Sequence, residues 1–258
     1  MRVRVSPLMM GIGLCATLAG APAHAGTGDE PETAELLIAL IKAGRAVVSD
    51  HQSLINDASK GDKGFTDEFV GREILVRFKA RTRVDLSHVR GIPQGGILLA
   101  MLDAERQVVY DAQPVINRQG IGFKGFSPSV FARKAGHKFY QKTGIKVKLT
   151  ATDYRFPGNK PDDFEAEVLR MFADPRHPKG QAYMKVSMVN GKPVMRVMDP
   201  EYAGATCLAC HGGPKGERDM TGMNKEGWKE GDLAGAISVV MPMRDPIADH
   251  SKMRGNGS

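Results

Sequence analysis

One stretch of this chain is written twice. Residues 47–86 align without a gap on residues 108–147, at an offset of 61, and thirteen of the forty positions are identical. The matches include Val47/Val108, Asp50/Asp111, Gln52/Gln113, Asn56/Asn117, Lys63/Lys124, Phe65/Phe126 and Arg72/Arg133. Self-similarity at a fixed offset is the mark of one supersecondary unit used more than once. The two copies are therefore expected to share a fold.

Each copy reads as helix, glycine-bearing loop, helix. Leu36, Leu40, Ala43, Val47, His51 and Leu54 recur at helical spacing and form one stripe. Asn56, Gly61 and Gly64 break it, and Thr66 or Asp67 can cap a second helix to about Lys79, with Glu73 and Arg77 paired at i, i+4. In the second copy Leu98, Met101, Leu102 and Val109 mark a helix over 97–112 that Pro114 is expected to end or bend. Ser127-Pro128 is a cap followed by proline at the first helical position. That helix should run to about Lys142 and stop at Gly144.

Beyond this point the period changes from helical to alternating. Ile145, Val147 and Leu149 alternate with Lys146, Lys148 and Thr150, as in a half-buried strand. Asp162, Asp163 and Glu165 suit the N-terminus of a helix over 162–173. Residues 182–189 and 193–198 alternate across Asn190-Gly191, a strong hairpin signal, and 233–241 reads as another strand. A helical half followed by an antiparallel sheet is an α+β arrangement.

The N-terminus carries a different signal. Arg2 and Arg4 precede the apolar stretch 7–21, and Ala23-His24-Ala25 has the small-x-small pattern of a signal-peptidase site. Residues 1–25 are read as a cleaved export signal, which leaves 233 residues and lowers the formal charge from +7 to +5. No later stretch approaches the roughly 18 apolar residues that span a bilayer, so a periplasmic protein with no transmembrane segment is expected. Residues 26–140 form the helical region, 141–250 the sheet-bearing region, and 251–258 a polar tail.

Cleavage removes Cys15 and leaves two cysteines, Cys207 and Cys210. Export would favour disulfides, but thiols three residues apart cannot staple distant parts of a fold. Cys207-Leu208-Ala209-Cys210-His211 is C-x-x-C-H, the attachment sequence of c-type haem. Two thiols at this spacing reach the two vinyl groups of one porphyrin, and the next residue offers its imidazole to the iron. A zinc ribbon would need a second ligand pair, which is missing. A thioredoxin-like pair would open a helix after a strand, whereas Gly204 and Gly212-Gly213-Pro214 flank this motif as loop.

The motif implies one covalent haem c, with Cys207 and Cys210 as thioethers and His211 as the proximal ligand. His51 is a candidate distal ligand, because it lies on the first helical stripe and its counterpart in the second copy is Ala112. His137 falls on the polar side of its helix, and His177 lies in a loop. Met184, Met188, Met195 and Met198 suit core filling better than iron ligation. The duplicated Lys63 and Lys124 read as loop architecture. No distal acid–base constellation suggests an enzyme. The basic balance suits acidic partners or headgroups, but no Lys/Arg run or aromatic platform points to nucleic acid.

These residues resemble a family of single-haem, c-type, PAS-like proteins, a domain of unknown function found in cyanobacteria and in periplasmic or sensor modules of proteobacteria. The resemblance rests on Lys142–Leu149, Asn159–Glu165, Cys207–Pro214 and Glu230–Val239, in the family's order, over roughly 140–242. It implies a PAS-like antiparallel sheet with the haem on one face. It also implies redox or small-diatomic-ligand sensing, or else electron transfer to an exported redox partner. In relatives a cysteine on the N-terminal helix is the second axial ligand; the mature chain has none there, and His51 is the natural substitute.

Overall fold

The first stripe folds as one long helix, α1 (Glu30–Asp50), followed across His51 by a single turn, α2 (Gln52–Ile55). The structure is a computed structural model that describes residues 30–88, 92 and 94–243. The expected export signal 1–25, the tail 251–258 and His250 lie outside the described residues. Helices α3 (Asp67–Thr82), α4 (Gly95–Ile116) and α5 (Pro128–Thr143) complete the helical half. Helix α4 runs past Pro114 for two more residues. The proline has no N–H to give the carbonyl of Tyr110, which lies on the exposed face of the helix.

The two copies match element for element at the offset of 61. Thr66 accepts from the Phe69 amide at 3.2 Å to cap α3, and Ser127 accepts from the Val130 amide at 3.3 Å to cap α5. Both helices end on a left-handed residue, Arg83 at φ 67° and Gly144 at φ 72°. The copies also grip each other reciprocally. Gln52 donates to the Phe126 carbonyl at 2.9 Å, and Gln113 to the Phe65 carbonyl at 2.8 Å. Asn117 accepts the Lys63 amide at 3.3 Å, and Asn56 accepts the Lys124 amide at 3.1 Å. The amines of Lys63 and Lys124 bind loop carbonyls, as their duplication suggested.

The second half is a four-stranded antiparallel open sheet in the order β1-β4-β3-β2, where β1 is Lys146–Thr150, β2 Tyr183–Val189, β3 Lys192–Tyr202 and β4 Leu233–Pro242. Asn190 and Gly191, both at positive φ, turn the β2–β3 hairpin. Val147, Val197, Met195, Ile237 and Val239 on one sheet face join the helices in a single apolar core. On the other face α6 (Asp163–Ala173) packs Val168, Leu169 and Phe172 against Met198 and Ala236. Asp162 and Glu165 form the capping box of α6. Glu165 is also buried and takes a salt bridge from Lys148 at 2.8 Å, so the acidic cluster ties α6 to the sheet as well as capping it.

Candidate functional site

The site begins where α1 crosses the end of β3. Lys42, Arg45 and Ser49 lie on one stripe of α1. Lys42 pairs with Asp199 and, at 2.9 Å, with Glu201; Arg45 pairs with Glu201; and Ser49 donates to Thr206 at 3.1 Å. Burial would raise the Glu201 carboxyl, but the facing charges of Arg45 and Lys42 outweigh it and hold the group below its usual value. This stripe fixes the strand end from which the C-x-x-C-H segment leaves the sheet.

That segment is more regular than the flanking glycines suggest. A 3-10 turn (Ala205–Cys207) runs into one turn of helix, α7 (Leu208–His211). A single turn brings Cys207, Cys210 and His211 together by chain geometry. Both cysteines are half-buried free thiols, and burial raises the Cys210 thiol, with the Asp219 charge adding to it.

His211 is held on three sides. Its carbonyl accepts the amides of Gly227 and Trp228, both at 2.9 Å. Its ring stacks on Trp228, with centroids 4.4 Å apart and planes 11° from parallel. Its Nδ1 lies 2.7 Å from Glu226 Oε2. A carboxylate accepts but does not donate, so Nδ1 carries the proton. Among the described residues Nε2 makes no hydrogen bond, so it is the ring nitrogen left to a metal. This is the tautomer a metal-ligating histidine needs.

Glu226 is itself anchored. Arg155 donates to its two oxygens from Nε at 2.6 Å and from Nη2 at 2.7 Å, and to Asp219 from Nη1 at 2.6 Å. Nη2 also reaches the carbonyls of Cys210 at 2.8 Å and Asn224 at 3.1 Å. One guanidinium thus ties the motif backbone to both carboxylates. Burial would raise Glu226, but its bonds to Arg155 and His211 win and hold it below its ordinary value. Burial likewise opposes, and hydrogen bonds from Thr221 and Arg155 outweigh, in holding Asp219 far below the carboxylate range. A cleft of about 520 Å³ opens beside Arg155, Glu226, Tyr154, Arg218 and Met223. Glu226 lines it and His211 does not.

The structure does not bring His51 to this motif. His51 is two residues beyond Ser49, about 200° around a helix. Its Nδ1 lies 2.8 Å from the Val47 carbonyl, and its ring contacts Phe65 and Phe69 at centroid distances of 5.5 and 5.3 Å. The face that meets Thr206 is the opposite one. His137 is exposed, and His177 lies against Phe172 with Nε2 3.0 Å from the Gln181 carbonyl. Met195 and Met198 fill the core on opposite sheet faces, while Met184 and Met188 are exposed.

Sequence reasoning missed Arg155, Asp219, Glu226 and Trp228, which belong to no motif. The one available signal was a Glu-Gly-Trp run shortly after the motif histidine.

The family model described as Tll0287-like (Tll0287) matches residues 29–242. Among solved structures, the crystal structure of the cyanobacterial heme-protein Tll0287 is similar, with 21% identity over 58% of this chain and 95% of that chain and a TM-score of 0.41. No curated protein matches. No helix among the described residues is long and apolar enough to cross a membrane.

Proposed function

Because this chain belongs to the Tll0287-like family, we propose that it is an exported, non-catalytic haem protein with one haem c on Cys207 and Cys210 and with His211 as the iron ligand. Its role is redox or small-ligand sensing in the periplasm. The observation that carries this reading is the arrangement of His211, whose Nδ1 is committed to Glu226 while Nε2 makes no hydrogen bond among the described residues, in the same short segment as two free thiols. Each thiol would add across a vinyl group, forming one S–C and one C–H bond with no change in oxidation state. The bound group would supply one-electron exchange and a place for a small ligand.

The open antiparallel sheet suits the PAS-like description, with α1 and α6 covering its two faces. The reciprocal Gln and Asn bonds support descent of the helical half from one duplicated unit. The protein whose name the family bears is called a heme-protein, in keeping with the C-x-x-C-H segment.

Expression in a host that matures c-type cytochromes should give a coloured chain whose haem survives acid acetone. Colour that leaves with the solvent would overturn the reading. Carbon monoxide should then shift the visible spectrum of the reduced protein. A spectrum unmoved by it would reassign the role to carrying electrons for an exported redox partner.

A further inference from the structure

The contact behind His211 is to a carboxylate. A neutral carbonyl opposite Nδ1 would fix the ring and its tautomer. A carboxylate does this too, and it also draws the Nδ1 proton toward itself, making Nε2 a stronger base and a stronger donor to a metal. Glu226 is placed for this role. Its side chain is 11% exposed, both oxygens are bound by Arg155, and one of them faces Nδ1 at 2.7 Å.

The anchoring matters because a mobile carboxylate would swing to water. Arg155 is fixed in turn by Asp219, whose side chain is fully buried, and by the Cys210 carbonyl inside the motif. The chain from Asp219 through Arg155 to Glu226 and His211 thus ends on the atom that sets the basicity of Nε2. Trp228, stacked on the ring, closes one face and fixes the plane of the imidazole.

We propose that Glu226 is a positioning and tuning residue for the iron ligand: held by Arg155, it gives His211 partial imidazolate character, favours the oxidised metal and lowers the midpoint potential. This rests on the haem reading above. The residues responsible lie outside the C-x-x-C-H segment and on the far side of the ring from the metal.

The test uses the haem-loaded full chain and Glu226→Gln, which keeps the shape and removes the charge. The midpoint potential should rise by about 59 mV, a tenfold change in the one-electron equilibrium, while the haem stays attached. Glu226→Asp, which retains a carboxylate, should recover part of the shift. If the Gln variant is not recovered with haem, the Asp variant alone should still lie above the wild type. A potential unchanged in a haem-bearing variant overturns this inference and leaves the haem reading intact. A wild-type chain that never takes up haem overturns both.

Discussion

Two buried carboxylates show how differently the halves of this molecule are held. In the helical half Glu105 lies on α4 with no exposure, and neither side-chain oxygen has a hydrogen-bond partner. It faces Gly44 on α1, its own counterpart at the offset of 61, where an added Cβ would lie 2.3 Å from Glu105 Oε1. Fully buried Phe131 lies against the same point on Gly44. In the motif loop Asp219 is a half-buried residue whose side chain is covered, and its carboxylate is met by Arg155, Thr221 and two backbone amides. Apolar packing carries the helices, and a charge network carries the loop. The lesson is that burial alone does not set a carboxyl's behaviour; its partners decide the sign.

The largest break in the comparison should come from Arg155→Ala. It would leave Asp219 and Glu226 facing each other's charge without a cation, and the Cys210 and Asn224 carbonyls without a donor. Removing one member of a buried charged set typically costs 3–5 kcal/mol. Arg155 is 20% exposed, so about 3 kcal/mol is expected, read as a lowered denaturation midpoint. Protease cleavage should rise between 204 and 232 while α1–α5 stay protected. A variant as stable and as resistant as the wild type would show that the network does not hold the loop.

The pH dependence sharpens the contrast, because the two halves have opposite signs. Asp219 and Glu226 are held below their ordinary values. Their stabilisation is present above the unfolded values and is lost as pH falls through the folded ones. Glu105 is pushed well above its ordinary 4.5 by burial. It does no harm below 4.5 and increasingly destabilises the fold as pH rises toward its folded value. Glu105→Gln should therefore gain on the wild type by about 1.4 kcal/mol per pH unit across that window. The advantage of the Gln variant should grow as pH rises above 4.5 and be absent below it. Denaturant midpoints of both proteins from pH 4 to 8 decide it; parallel curves would mean that Glu105 stays charged or finds a partner.

How much of this could be read beforehand follows from where the information sits along the chain. Caps at Thr66, Ser127 and Asp162, the Asn190-Gly191 turn and the alternation of β1–β4 are local, and each was legible within a few residues. The C-x-x-C-H segment was legible for the same reason. Pro114 misled because its cost depends on whether the freed carbonyl sees water, which no pattern encodes. Met184 and Met188 misled because edge-strand exposure is set by sheet order. Arg155, Asp219 and Glu226 come from separate loops, and only the folded chain brings them to His211. The offset of 61 was legible too, but not that its symmetry breaks at Arg45. Arg106 pairs inside the bundle with Asp67 at 2.8 Å, whereas the counterpart of Asp67 is Pro128, and Arg45 turns to Glu201 on the sheet.

The smallest effect belongs to His51. The comparison of copies singled it out, because Ala112 stands in its place, and a histidine on an apolar stripe invites a metal. Its surroundings point elsewhere: the ring rests on Phe65 and Phe69, on the side of the helix away from Ser49 and Thr206. Aromatic pairs of this kind contribute about 1 kcal/mol. His51→Ala should therefore lose about 1 kcal/mol of stability and leave the visible spectrum of the haem-loaded protein unchanged. If the low-spin bands collapse in that variant, His51 is the distal ligand after all, and α1 must turn when the haem is attached.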